Sequence, residues 1–257
     1  MNTTTSTAPA RAGLPTEPDP APRPRVIGML GGMSWESTME YYRLANEAVR
    51  RRLGGLHSAR LLLASLDFAE IEQLQATGQW GRAGQLLADE AVRLQTGGAE
   101  LLVLCTNTMH KVAEQIEAAV SIPLLHIADI TAAAVEAGGV RTVGLLATRF
   151  TMEEDFYRDR LAEHGLRVLV PEADDREAVH RIIYDELCLG VIREESRRRY
   201  QQVIGRLVAG GAQGVILGCT EIELLVGAED SPVPVFPTTR LHVEAAVEES
   251  LAVMPSA

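Results

Sequence analysis

The residues of this chain best suited to chemistry lie at two places that resemble each other. Gly97-Gly98-Ala99-Glu100-Leu101-Leu102-Val103-Leu104 is matched by Gly210-Gly211-Ala212-Gln213-Gly214-Val215-Ile216-Leu217. The first copy continues into Cys105-Thr106-Asn107-Thr108 and the second into Gly218-Cys219-Thr220-Glu221. Each is an apolar run that ends in a small polar cluster and is followed by a helical pattern. A turn between a strand end and a helix start presents free backbone N–H groups and the positive end of a helix dipole, so it can hold a carboxylate. The same field favours a thiolate, and Cys219 is therefore expected to have a lowered pKa and to be reactive. Alone, Cys219 would read as a small buried residue at a strand end; the mirrored polar clusters favour the functional reading. In the repeat, Thr106 pairs with Cys219, and Cys105 pairs with Gly218. A shift of one residue turns a side chain to the opposite face of a strand. Thr106 is thus expected in the cleft and Cys105 in the core, with Cys105 as the alternative if the strand end is bulged.

Two further matches extend the repeat. Ile27-Gly28-Met29-Leu30 resembles Val143-Gly144-Leu145-Leu146, and Ile122-Pro123-Leu124 resembles Val233-Pro234-Val235. Three pairs in the same order predict two related lobes. The elements that would position them alternate. Buried strands are expected over 26–30, 59–65, 100–104, 123–127, 142–147, 167–171, 214–217 and 233–236. Helical patterns cover 34–52, 79–97, 108–120, 128–137, 151–164, 176–210 with a break near Gly190, and the stretch from 241. Alternation of this kind makes parallel sheets. The expected fold is α/β: two pseudo-symmetric lobes, each a parallel sheet flanked by helices, with the active site in the cleft between them. Residues 26–125 plus 238–257 would form the first lobe and 126–237 the second. Residues 1–25, rich in Thr, Ala and Pro, read as a disordered extension.

Composition fits this and narrows the function. Of 257 residues 46% are hydrophobic but only 4% aromatic, so Leu, Val, Ile and Ala must fill the core. A net charge of −11 lacks the footprint of a nucleic-acid binder. Three cysteines at Cys105, Cys188 and Cys219 are too sparse for a disulfide framework and show no metal-ligand spacing. No apolar run is long enough to span a membrane, and a cytoplasmic setting is expected.

The motifs also carry a resemblance. Gly31-Gly32-Met33, Asn107-Thr108-Met109-His110, Gly144-Leu145-Leu146-Ala147-Thr148 and Gly218-Cys219-Thr220-Glu221 resemble the aspartate/glutamate racemase family. The longer runs at 31–38, 104–111 and 126–129 resemble one bacterial branch, described both as L-aspartate/glutamate-specific and as broad-specificity amino-acid racemases. The likeness extends from Val26 onward. It implies a cofactor-independent amino-acid racemase, an isomerase that needs neither pyridoxal phosphate nor metal. Two cysteines on opposite faces of the substrate would remove and return the α-proton. It further implies a homodimer acting on a small amino acid. Here the family's Cys-Asn-Thr-x-His reads Thr106-Asn107-Thr108-Met109-His110, so a hydroxyl replaces one thiol. Thr106 would be a poor base but could relay a proton to a carbanion.

By motif position, Met33, Ser34, Gln75, Asn107, Thr108, Thr148, Thr151, Thr220 and Glu221 would bind substrate. Ser34 or Ser37 also reads as a helix N-cap, and so does Thr151. Gln75 falls in an expected loop where the family places a side-chain reader. Arg176 or Arg181 could supply a cation there, and His110 could tune or cap the site. Cys188 reads as packing, His126 as structural, His57 as a loop residue, and Arg197-Arg198-Arg199 as a solvated face. Trp35 reads as either core or an interface anchor. The Gly28-x-x-Gly31-Gly32 spacing rules out a dinucleotide fingerprint. A hydantoin racemase, maleate isomerase or decarboxylase activity, and a non-catalytic amino-acid-binding protein, are the alternatives.

Overall fold

The apolar run after Val26 becomes β1 (Ile27–Gly31), buried at all five residues. A parallel strand reaches that state only with cover on both faces. The computed structural model describes residues 23–252, so residues 1–22 of the expected extension and the tail 253–257 lie outside the described residues. The neighbouring residues are tied down. The Arg25 N–H donates to the Ser250 carbonyl at 2.9 Å, and its guanidinium meets Glu249.

Two four-stranded sheets follow, and all their strand pairs are parallel. The first contains β1, β2 (Leu61–Ser65), β3 (Leu101–Leu104) and β4 (Leu124–Leu125) in the order β2-β1-β3-β4. The second contains β5 (Thr142–Ala147), β6 (Arg167–Leu169), β7 (Gly214–Gly218) and β8 (Val235–Pro237) in the order β6-β5-β7-β8. The orders correspond strand for strand. So does the register: Leu30 pairs with Leu104, and the repeat-equivalent Leu146 pairs with Leu217. The sequence repeat is therefore a repeated α/β unit, and the two lobes are related copies.

The helices of the first lobe are α1 (Trp35–Leu53), α2 (Phe68–Ala76), α3 (Trp80–Thr96) and α4 (Ala113–Ala119). Ser34 caps α1 by accepting the Ser37 N–H, and Gly54 at φ 72° ends it. Before that cap, Gly32 at φ +84° brings the chain so close to Leu66 that a Cβ would lie 2.2 Å from its carbonyl oxygen. Only glycine fits there. Helix α2 replaces the expected loop: Asp67 caps it by accepting the Ala69 N–H at 3.1 Å. Nine residues give too few turns for the apolar period to stand out. The helix expected over 108–120 is a 3₁₀ turn, Thr108–Val112, followed by α4.

The second lobe carries α5 (Ile127–Ala137), α6 (Arg149–Glu153), α7 (Asp155–Glu163), α8 (Ala173–Asp185), α9 (Glu194–Ala209) and α10 (Ile222–Leu225). The expected 151–164 helix is split at Glu154, which has extended backbone. Thr151 is consequently no cap; it sits inside α6, fully buried, and Thr148 holds the N-cap position. The long 176–210 pattern breaks at a 3₁₀ turn, Leu187–Leu189, that ends at left-handed Gly190. The last helix, α11 (Thr238–Leu251), packs back on α1 and α5. Its Val243, Ala246 and Val247 join Ile27, Tyr41 and Val103 in one apolar cluster. A separate cluster under the second sheet runs from Ile127 to Phe236.

Trp35 is not core. It is 61% exposed and forms an apolar stripe on α1 with exposed Met39 and Tyr42, at helical spacing. No described helix is long and apolar enough to cross a membrane.

Candidate active site

The carboxyl ends of β1, β3, β5 and β7 converge on one cavity of about 360 Å³, counting the space at its mouth. Cys219 follows β7 and is buried on the cavity wall. Its thiol donates to Glu221 Oε2 at 2.9 Å. The other Glu221 oxygen accepts the Ser34 hydroxyl at 2.6 Å, so this carboxylate bridges the lobes. Burial, and then the Glu221 charge, push the Cys219 thiol well above its usual pKa. The expectation of a lowered pKa is thus corrected. Helix α10, at four residues, is too short for a strong dipole, and an anion sits on the sulfur.

Thr106 follows β3 and lines the same cavity. Its carbonyl accepts from His110 Nδ1 at 2.8 Å. Cys105, one residue earlier, is fully buried in the cluster with Ile27 and Tyr41, where burial raises its pKa. Asn107 is 3% exposed; its Nδ2 donates to Thr238 Oγ1 at 3.0 Å. Its Oδ1 is buried without a partner and is the one unmet acceptor on this wall among the described residues. Thr220 and Met33 complete the floor. The Thr108 hydroxyl lies 2.9 Å from that of Thr148 and 3.2 Å from that of Thr151. This cluster joins the lobes, with Thr151 behind the cavity wall rather than on it.

The far end of the cavity is neutral. Gln75, on α2, donates to Met109 Sδ at 3.0 Å and accepts the Tyr184 hydroxyl from α8 at 3.2 Å. Phe68 stacks on Tyr184, and Ile183 adds apolar surface. Among the described residues, no lysine or arginine lines the cavity. Arg176 is not part of it: it pairs with Glu153 at 2.9 Å and the Pro171 carbonyl at 2.7 Å on the outer surface. Arg181 lines a separate groove between α8 and α9. Cys188 packs against the core of the second lobe, as expected, and also lines the cavity beside Cys219; burial, then the Glu221 charge, raise its pKa. Tyr184, Ile183 and Phe68 were not singled out from the sequence. Ile183 and Tyr184 fall inside an expected helical pattern, which does not tell which of its faces meets the cleft.

A family model described as Asp/Glu/Hydantoin racemase matches residues 30–246. The chain belongs to this family. This racemase is an isomerase of the amino-acid racemase class. It is 57% identical to a crystal structure assigned as an Asp/Glu racemase from Yersinia pestis, covering 88% of this chain and 99% of that one at TM-score 0.82. It is 33% identical to an aspartate racemase homologue from Pyrococcus horikoshii, with 88% and 99% covered at TM-score 0.77. Over 170 residues it is 24% identical to the broad-specificity amino-acid racemase RacX of Bacillus subtilis, covering 65% of this chain and 71% of that protein.

The two lobes of this racemase also meet away from the cavity lining. Trp80 of the first lobe meets Phe150 of the second edge-on at 5.5 Å. Lys111 sits 4.0 Å over the Trp80 ring and pairs with Glu154.

Proposed function

We propose that this racemase inverts the α-carbon of a free amino acid with a neutral side chain. Cys219 takes the α-proton on one face and Thr106 relays a proton to the other. The observation that carries this reading is that the two residues end equivalent strands of the two lobes and line one cavity. In the resting site the Cys219 thiol is neutral and hydrogen-bonded to Glu221. An arriving α-ammonium would find Asn107 Oδ1 and Glu221 as acceptors. Its positive charge beside the sulfur favours the thiolate, with the thiol proton passing to Glu221. The thiolate then takes the α-proton. The carboxylate of the substrate, held by strand-end N–H groups, carries the developing charge. The carbanion collapses by taking the Thr106 hydroxyl proton as Thr106 is reprotonated through water by Glu221, which returns to carboxylate and leaves Cys219 as the thiol. Thr106 is only partly buried, which leaves it that access.

The neutral far end of the cavity supports this substrate class. An Asp or Glu side chain would lie unpaired near the Glu221 carboxylate, and a buried unpaired charge is costly. Gln75, Tyr184, Phe68 and Ile183 instead fit an apolar or uncharged polar side chain.

The reading includes no pyridoxal phosphate and no metal. No lysine lines the cavity to form a Schiff base, and a thiol at the site supplies the base. Three free thiols suit a reducing, cytoplasmic setting. The exposed Trp35, Met39 and Tyr42 stripe suits a second copy as partner, and hence a homodimer. As the two bodies that close on substrate we assign 26–125 with 238–257, and 126–237. The test is incubation with a panel of L- and D-amino acids in D₂O, followed by NMR at the α-position. Neutral amino acids should exchange and invert. Exchange restricted to Asp and Glu would reject the substrate class, and no exchange would reject the reaction.

A further inference from the structure

We propose that His110 is a positioning residue that clamps the Thr106 carbonyl and so aims the Thr106 hydroxyl at the substrate. This rests on the reading of Thr106 as the second proton-transfer group. Thr106 lies just beyond the sheet. The Cys105 N–H still reaches the Leu30 carbonyl at 2.9 Å, but the Thr106 N–H turns back to Leu104 at 2.8 Å. No strand neighbour fixes its carbonyl. His110, one turn further on, holds it at 2.8 Å.

The second ring nitrogen sets the tautomer. His110 Nε2 faces the Ile127 N–H at 3.3 Å, and a backbone N–H can only donate. Nε2 must therefore carry the lone pair and Nδ1 the proton. One buried ring thus satisfies an acceptor in the first lobe and a donor at the start of α5 in the second. The rings around it accept as well, but through Nδ1 rather than Nε2. His126, 4.6 Å away, accepts the Ala128 N–H through Nδ1. His242, 6.0 Å away, accepts the Tyr41 hydroxyl at 2.9 Å and donates to the Leu125 carbonyl at 2.8 Å. Burial, then the charges of these two neighbours, hold His110 below its usual pKa. Both of its nitrogens are occupied and the residue is 4% exposed, so it has no free site from which to shuttle a proton. Its influence must pass through Thr106.

The test separates inversion from exchange. In D₂O, Cys219 alone can remove an α-proton and return deuterium to the same face. Inversion also needs Thr106. His110→Asn places an amide N–H near the old Nδ1 position, whereas His110→Gln reaches only toward Nε2. His110→Ala and His110→Gln should lower inversion by roughly tenfold to a hundredfold, as a misplacement of the order of 1 Å does, while exchange with retention stays within about twofold. His110→Asn should recover most of the inversion. Equal loss of both readouts, with Asn no better than Gln, would make the residue merely structural and overturn the proposal. If His110→Ala does not fold, the Asn and Gln pair decides. Nitrogen-15 NMR of the wild-type imidazoles supplies an arm independent of activity. A neutral Nδ1–H tautomer at His110 is expected at neutral pH; an Nε2–H tautomer or an imidazolium overturns the clamp. Wild-type protein inert toward all amino acids would instead sink the racemase reading, and the tautomer would still report whether the clamp exists.

Discussion

At the scale of single residues, the site is asymmetric. A thiol held by Glu221 faces a hydroxyl held through its backbone. Cys219→Ala should abolish α-proton exchange and Cys219→Ser should remove most of it, with little change in fold because the side chain is small. Near-wild-type deuterium incorporation in Cys219→Ala would remove the central claim. Thr106→Cys should create a two-thiol pair and raise the inversion rate, since a thiol ionises far more readily than a hydroxyl. The equilibrium between enantiomers is one, so kcat/KM must rise equally from either. Cys105→Ala should keep catalysis and lose about 1–3 kcal/mol of stability by core truncation. Racemisation from each pure enantiomer, with denaturant melts, checks both variants. An inactive but folded Cys105→Ala would reassign the second acid–base group.

At the scale of elements, α2 and α8 meet across the cleft through Gln75 and Tyr184. Gln75→Arg should place a cation where the lining has none. The preference for Asp or Glu over a neutral amino acid, read as a ratio of kcat/KM, should rise by about tenfold or more, equivalent to about 1.4 kcal/mol. An unchanged ratio would mean that the side chain does not lie against these helices. The β1–α1 turn is the other sensitive element. Gly32→Ala would combine a positive φ with a Cβ 2.2 Å from Leu66 oxygen. It should destabilise the protein by at least about 1–2 kcal/mol. It should also lower exchange, because the same turn delivers Ser34 to Glu221.

At the scale of the whole molecule, the histidines between the lobes make stability depend on pH. Burial lowers both His126 and His242 to about 4, from the ordinary imidazole value of 6.5. The unfolded chain therefore binds more protons between pH 4 and 6.5, and stability must rise with pH across that window. For fully buried His242 the full difference corresponds to about 3 kcal/mol. Glu223 acts in the opposite sense. Burial raises it to about 7, so its contribution is present below its unfolded value and lost as pH rises through 7. Two histidines outweigh one glutamate, and His110 adds to them. Denaturant midpoints should climb from pH 4 to 6.5, and more steeply in Glu223→Gln. A flat or falling profile would contradict the neutral wiring of this cluster.

The sequence by itself determined the strands, their pairing of copies and the positions of the polar strand ends. Buried parallel strands read as apolar runs, and a repeated unit repeats its register. Thr106 falls on the cavity and Cys105 in the core because neighbouring side chains at a strand end point to opposite faces. Caps such as Ser34 were legible because they act within one turn. The shorter features α2 and the split at Glu154 escaped because they are too brief for the apolar period to show, whereas the break that became the 3₁₀ turn beside Cys188 was legible near Gly190. Only the tertiary structure decided the electrostatics. The local motif favoured a thiolate at Cys219, but the fold buried it and Glu221, two residues on, turns its carboxylate to the sulfur, reversing the direction. The fold also turned Arg176 outward to Glu153, so that among the described residues no cation lines the cavity wall. Backbone periodicity encodes which way a residue faces its own element. How deeply it is buried depends on residues far away in the chain, which the fold alone brings near.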